Sequence, residues 1–246
     1  MPEFDPRWAL FIDIDGTILD LVAHPDDAEA EPALLSTLGR IFRLNGGALA
    51  LVSGRSLEGI DAIVRPLRLP AAGLHGLERR NASGVVTRVE ADRTAFVPVE
   101  RRFESFVGEN PGSFIEDKKA SLALHYRGAP EASDKAERLA RDLSSEIPAG
   151  LLVQPGKMVI EVKPSGRTKG TAIAEFMAEA PFGGRMPVFL GDDLSDEDGF
   201  EWVNGKGGIS IKVGPGPTEA RYRLESVDAV ALWLSRYRKF LAESSN

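Results

Sequence analysis

Phe11-Ile12-Asp13-Ile14-Asp15-Gly16-Thr17 places two carboxylates at the end of an apolar run, spaced i,i+2. On an extended chain that spacing points both side chains the same way. One carboxylate can attack an electrophile while the other handles a proton, provided their surroundings separate the two roles. Gly16 permits a sharp turn that frees backbone N–H groups for an anion. The plainer alternative is a pair of solvated aspartates in a loop.

A second acidic segment, Gly191-Asp192-Asp193-Leu194-Ser195-Asp196-Glu197-Asp198, also follows a short apolar run. Acids this dense repel one another unless water or a cation intervenes. An all-oxygen donor set suits Mg²⁺. A helix N-terminus accounts for Glu197 and Asp198 through its dipole, but not for acids directly after the strand. Ser53 ends another apolar run and can donate to an oxyanion; the glycines of a hydrolase nucleophile elbow are missing around it. Lys169 opens a helix, where its charge adds to the helix's preference for an anion. Taken together, these groups describe a site for a phosphate dianion and Mg²⁺.

These residues must be carried by a fold that brings strand ends together. Apolar runs at 9–14 and 48–52 alternate with helical spacings at 31–44 and after Ser56, the pattern of parallel strands with crossover helices. The rhythm returns with a helix at 168–178, strands at 187–190 and 209–213, and a last helix at 227–241. Between them, a hairpin at Ser83-Gly84 precedes helices at 97–107 and 131–147. Strands at 113–116, 121–126, 151–154 and 158–162 complete this stretch, the last two joined around Pro155-Gly156. The expected fold is α/β: a Rossmann-like parallel-sheet core, 1–92 and 164–246, with an α+β domain, 93–163, inserted into it. The pairs Arg79-Arg80, Arg101-Arg102 and Lys118-Lys119 read as solvated faces.

Composition narrows the function classes. The chain has 246 residues, a net charge of −7 and no cysteine. A net negative charge disfavours non-specific nucleic-acid binding. Without cysteine there are no disulfides, thiolate metal sites or thiol nucleophiles. Neither a cleaved signal peptide nor a membrane span is expected, and a cytoplasmic monomer is. Three scattered histidines make a zinc site a poor fit, and no dinucleotide fingerprint or P-loop is present.

Asp13-Ile14-Asp15-Gly16-Thr17, Ser53, Lys169 and Gly191-Asp192-Asp193, in this order, resemble the four motifs of haloacid-dehalogenase-like phosphatases. The inserted domain resembles the α/β cap of their sugar-phosphate branch. Within it, Glu116-Asp117-Lys118, His125-Tyr126-Arg127 and Gly156-Lys157-Met158-Val159-Ile160-Glu161 resemble the pattern of trehalose-6-phosphate phosphatases, as do Leu74-His75-Gly76 and 188–196. Ser195 stands where that pattern has threonine and keeps the hydroxyl. The resemblance implies Asp13 as nucleophile and Asp15 as acid and base, with Ser53 and Lys169 holding phosphoryl oxygens. It implies Mg²⁺ on Asp13, the Asp15 carbonyl and Asp192, supported by Asp193 and Asp196. It also implies substrate contacts from Arg55, His75, Glu116, Lys118, His125 and Glu161. A phosphatase for sucrose phosphate or glycosyl-phosphoglycerate, or a non-catalytic sugar-phosphate binder, remain the alternatives.

Overall fold

The structure, a computed structural model, describes residues 1–22, 27–89 and 92–244. The chain divides into two compact units, 1–87 with 168–246, and 88–167.

The first unit is built from β1 (Trp8–Ile12), α1 (Pro32–Leu44), β2 (Leu49–Val52), α2 (Leu57–Val64), β3 (Ala71–Gly73), β4 (Glu78–Arg80) and β5 (Val86–Arg88), the last reaching the boundary. In the second unit, α3 (Val97–Glu109), β6 (Phe114–Asp117), β7 (Leu122–His125), α4 (Ser133–Glu146), β8 (Leu151–Gly156) and β9 (Val159–Pro164) follow. The chain then returns to the first unit with α5 (Lys169–Met177), β10 (Met186–Gly191), α6 (Glu197–Gly205), β11 (Ile209–Val213), β12 (Tyr222–Leu224) and α7 (Val227–Ser244).

The sheet of the first unit has the order β12-β11-β10-β1-β2-β3-β4-β5 and is parallel from β12 to β3. β3 and β4 run antiparallel. Alternation along β1 explains why its sequence is apolar throughout. Leu10 and Ile12 pack with Leu38, Ile41, Ile60, Leu234 and Tyr237 of α1, α2 and α7. Ala9 and Phe11 face the other way, into Ile173, Phe176, Phe200 and Val203 of α5 and α6. A parallel sheet covered on both faces buries every position of its central strands. The fold is therefore the α/β class expected from the sequence.

Register decides what happens at the carboxyl edge. Ile12 pairs with Leu190 on β10 and with Leu51 on β2. Asp13 lies one residue beyond that line, and Ser53 and Asp192 two beyond. Ligands bind at this edge in open α/β sheets because the strands end there together.

The second unit has a four-stranded antiparallel sheet, β6-β7-β9-β8. Leu122, Leu124, Ile160 and Val162 pack against Phe103, Phe106, Leu139 and Leu143 of α3 and α4. Strand alternation puts Glu116, His125 and Glu161 on the opposite face. Gly156 pairs with Val159, so β8 runs through Pro155-Gly156 and the turn is Lys157-Met158, with Met158 at φ +61°. That corrects the turn expected at Pro155-Gly156.

The reading of the basic pairs as solvated faces is also corrected. Arg80 is buried, forked onto Asp61 at 2.7 and 2.6 Å and donating to the Leu69 carbonyl. Arg79 is buried too, bonded to Glu179 and lying 4.3 Å from the centre of the Phe176 ring. Lys118 is largely buried between two glutamates, whereas Arg101 and Lys119 are exposed as expected. Burial follows because each arginine finds a carboxylate and each stem an apolar surface. Among the described residues no helix is long and apolar enough to cross a membrane.

Candidate active site

Asp13 leaves β1 with its N–H on the Leu190 carbonyl at 3.0 Å, which fixes it at the sheet edge. Its carboxylate is buried, with Oδ1 accepting from Lys169 Nζ at 2.8 Å and Oδ2 from Thr17 Oγ1 at 3.3 Å. The loop beyond folds back tightly: Thr17, Ile18 and Leu19 all direct N–H groups at the Ile14 carbonyl. Gly16 takes φ +77°, and a Cβ there would fall 2.1 Å from Asp192 Oδ2. Only glycine lets this loop approach Asp192 so closely.

Lys169 is the first residue of α5, capped by Thr168, whose side chain accepts from Thr171 N–H. Its ammonium bridges Asp13 and Asp196, reaching Asp196 Oδ1 at 2.7 Å. Burial alone would lower the Lys169 pKa, but the charges of Asp13 and Asp196 raise it well above the ordinary lysine value. Burial pushes the Asp13 carboxyl well up, against the pull of Lys169, and Asp196 and Asp192 push the same way.

Asp196 holds the acidic loop together. Its Oδ2 accepts the N–H groups of Asp192 and Asp193, each at 2.9 Å. Carboxylate oxygens of Asp13, Asp192 and Asp196 lie within 4.8 Å of one another, all on buried residues. Oxygen donors this close suit a hard cation, and Mg²⁺ fits a set with few carboxylates. Lys212 on β11 is buried and its Nζ donates to the Asp192 carbonyl.

Ser53 is fully buried, its N–H on the Ala72 carbonyl and its Oγ accepting from Arg55 N–H at 3.2 Å. Asp15 is half-buried and bonded through both oxygens to Arg55. His75 is buried beside this segment and donates its N–H to the Ser53 carbonyl at 3.0 Å. The first unit thus gathers Asp13, Asp15, Ser53, Arg55, His75, Lys169, Asp192, Asp193 and Asp196 around one sheet edge.

The second unit gathers the other four. Register pairs Glu116 with Ala123, and Ala123 with Glu161, which brings the two acids to one line across the sheet. His125 Nε2 lies 2.8 Å from Glu116 Oε2, its ring stacked on Phe114 at 4.7 Å. Lys118 Nζ stands 3.8 Å from Glu116 and 3.7 Å from Glu161. Glu161 is buried and accepts from Ser121 Oγ at 2.6 Å. Burial alone would raise the Glu116 pKa; the bond from His125 and the charge of Lys118 outweigh it and hold the carboxyl below its ordinary value.

Three contributors escaped the sequence reading: Lys212, Ser121 and the Thr17 hydroxyl. Lys212 had a signal, a charged residue inside the apolar strand Ile209-Ser210-Ile211-Lys212-Val213. The partners of Ser121 and Thr17 depend on register and a loop geometry that spacing does not reveal.

This sheet order, with acidic loops at its carboxyl edge and a second α/β unit inserted in the sequence, is a fold shared with solved phosphatases. A phosphatase of the haloalkanoate (HAD) enzyme superfamily from Bacteroides thetaiotaomicron shares the fold, with a TM-score of 0.59 over 93% of this chain and 94% of that one, at 19% identity. The C-terminal domain of C. albicans trehalose-6-phosphate phosphatase shares it more closely, with a TM-score of 0.86 over 95% and 92% of the two chains, at 23% identity. Residues 11–228 match the trehalose-phosphatase family, and the chain belongs to it. It is 43% identical over 233 residues to trehalose-6-phosphate phosphatase of Escherichia coli (strain K12), covering 95% of this chain and 87% of that protein.

Proposed function

We propose that this chain hydrolyses trehalose 6-phosphate to trehalose and inorganic phosphate through an aspartyl-phosphate on Asp13. The observation that carries the reading is the buried Asp13 carboxylate, bonded at one oxygen by Lys169 and set beside Asp192. A nucleophile held this way has a fixed direction of attack, and the ammonium beside it neutralises incoming phosphoryl charge.

An oxygen of Asp13 bonds to phosphorus in line with the ester oxygen. As the phosphorus–oxygen ester bond breaks, its electron pair stays on the sugar oxygen, which takes the proton of Asp15. Asp15, now a carboxylate, removes a proton from water. That water attacks the aspartyl-phosphate, releasing phosphate and restoring Asp13. Ser53 and Lys169 donate to the phosphoryl oxygens. Asp13, Asp192 and the Asp15 carbonyl would hold Mg²⁺, which supplies charge neutralisation to nucleophile and phosphate. Asp193 and Asp196 keep Lys169 and the acidic loop in place.

The second unit serves as the cap, with Glu116, Lys118, His125 and Glu161 recognising the disaccharide. Sugar hydroxyls need fixed donors and acceptors, and this cluster offers both. In the first unit, Arg55 and His75 flank the Ser53 loop, where further substrate contacts are proposed for them. The reading needs no second copy of the chain and no nucleic acid.

Asp13→Asn tests the mechanism, since it keeps shape and removes the nucleophilic charge. Phosphate release should fall to background. Release near the unmodified rate would sink the covalent route.

A further inference from the structure

The guanidinium of Arg55 is engaged with Asp15. Nε donates to Asp15 Oδ2 and Nη2 to Asp15 Oδ1, each at 2.7 Å. Only 12% of the arginine side chain is exposed, against 31% of the aspartate's. A planar guanidinium bonded to both oxygens sets the plane of the carboxylate as well as its position.

The backbone around Arg55 is itself held under strain. Leu74 and His75 take φ +49° and +54°, a region that costs a non-glycine residue about 1–3 kcal/mol. Two such residues in succession persist only where the surroundings over-determine them. Here Leu74 N–H donates to the Arg55 carbonyl at 2.8 Å, and His75 N–H donates to the Ser53 carbonyl. A Cβ at Gly73 would fall 2.7 Å from the Arg55 oxygen, so the approach is as close as glycine allows. The strained turn therefore fixes where the Arg55 side chain starts, and the fork fixes where it ends.

We propose that Arg55 is a positioning residue that acts through Asp15, aiming its carboxyl at the departing ester oxygen. This rests on the reading of Asp15 as proton donor. When Asp13 bonds to phosphorus and the ester bond breaks, the electron pair and the Asp15 proton both end on the leaving oxygen. What remains is a carboxylate already matched to the guanidinium. In this role Arg55 contacts the donor and not the phosphoryl group.

Proton donation matters most when the leaving group is poor, and this gives the test. The values of kcat/KM, which report the first phosphoryl transfer, would be measured for aryl phosphates graded from phenyl to dinitrophenyl. None carries a sugar, so a lost sugar contact cannot tilt the series. Asp15→Asn should steepen the dependence on leaving group. Arg55→Met should steepen it too, with a loss of about 10² on phenyl phosphate and little on dinitrophenyl phosphate. The double variant should be no worse than Asp15→Asn, because one residue acts through the other. Arg55→Lys keeps the charge without the fork and should also steepen the series, which covers the case of a poorly folded methionine variant. A normal slope in folded Arg55 variants beside a steep Asp15→Asn would overturn the role of Arg55 and leave that of Asp15 standing. Multiplying losses in the double variant would overturn it as well. A normal slope in Asp15→Asn would overturn both.

Discussion

The Nζ of Lys169 lies 2.8 Å from Asp13 Oδ1, with only 2% and 5% of the two side chains exposed. A buried ion pair is costly to break from one side, because the partner left behind keeps its charge without compensation. Here the lysine also serves Asp196, so its loss would leave two buried carboxylates facing each other.

Lys169→Met should therefore lower the unfolding free energy by about 3–5 kcal/mol, measured by urea denaturation without metal. It should slow both trehalose 6-phosphate and p-nitrophenyl phosphate, each by about 10²–10³. A stability change within about 0.5 kcal/mol would mean the pair is not what holds the loops together.

Gly16→Ala should weaken Mg²⁺ binding, because the new Cβ would collide with Asp192 Oδ2 and must displace it. A ligand that binds only the folded state stabilises it, by about 2.7 kcal/mol at a hundred times its Kd. The unmodified protein should thus melt higher in Mg²⁺ and stop releasing phosphate when the metal is chelated. In the variant the upward shift should shrink. An equal shift in both would contradict the fit of the site to the metal.

Glu161→Gln should damage turnover of trehalose 6-phosphate and spare p-nitrophenyl phosphate, since a small ester cannot lose contacts it never makes. The amide can still accept from Ser121 Oγ, so β9 should keep its packing. Equal losses on both esters in a folded variant would exclude a sugar contact.

The Glu116–His125 contact predicts an acid limb in stability. Glu116 has its folded pKa below the ordinary value, from the His125 bond and the Lys118 charge acting against burial. A depressed carboxyl contributes stability above its unfolded pKa of about 4.3, and that contribution is lost as pH falls through the folded value. The gap between the unmodified protein and Glu116→Gln in urea midpoints should be full near about pH 7 and close at acid pH. A gap that widens on acidification would reverse the sign and refute the assignment.

Much of the core was legible in the sequence for a physical reason. Asp13, Ser53 and Asp192 each follow an apolar run that only a doubly covered parallel strand requires, so their shared edge could be inferred. The strands β3 and β12 were not legible, being three residues each, and Ala71-Ala72-Gly73 carries no apolar period. The burial of Arg79 and Arg80 was misread because their partners, Glu179 and Asp61, are distant in sequence. The Arg55–Asp15 fork and the Lys212 contact with Asp192 were hidden for the same reason. In the second unit the hairpin turn lies two residues later than the sequence suggests, because Met158 adopts a left-handed conformation that nothing in its type announces.

Substrate preference is the property that most directly tests the assignment. Phosphate release should be measured with Mg²⁺ on trehalose 6-phosphate, glucose 6-phosphate and sucrose 6-phosphate, and compared as kcat/KM. The first and second carry the same ester on the same ring, so a difference must come from contacts to the second glucose. Trehalose 6-phosphate should be strongly preferred over both others. Equal values for glucose 6-phosphate or sucrose 6-phosphate would contradict a trehalose 6-phosphate phosphatase.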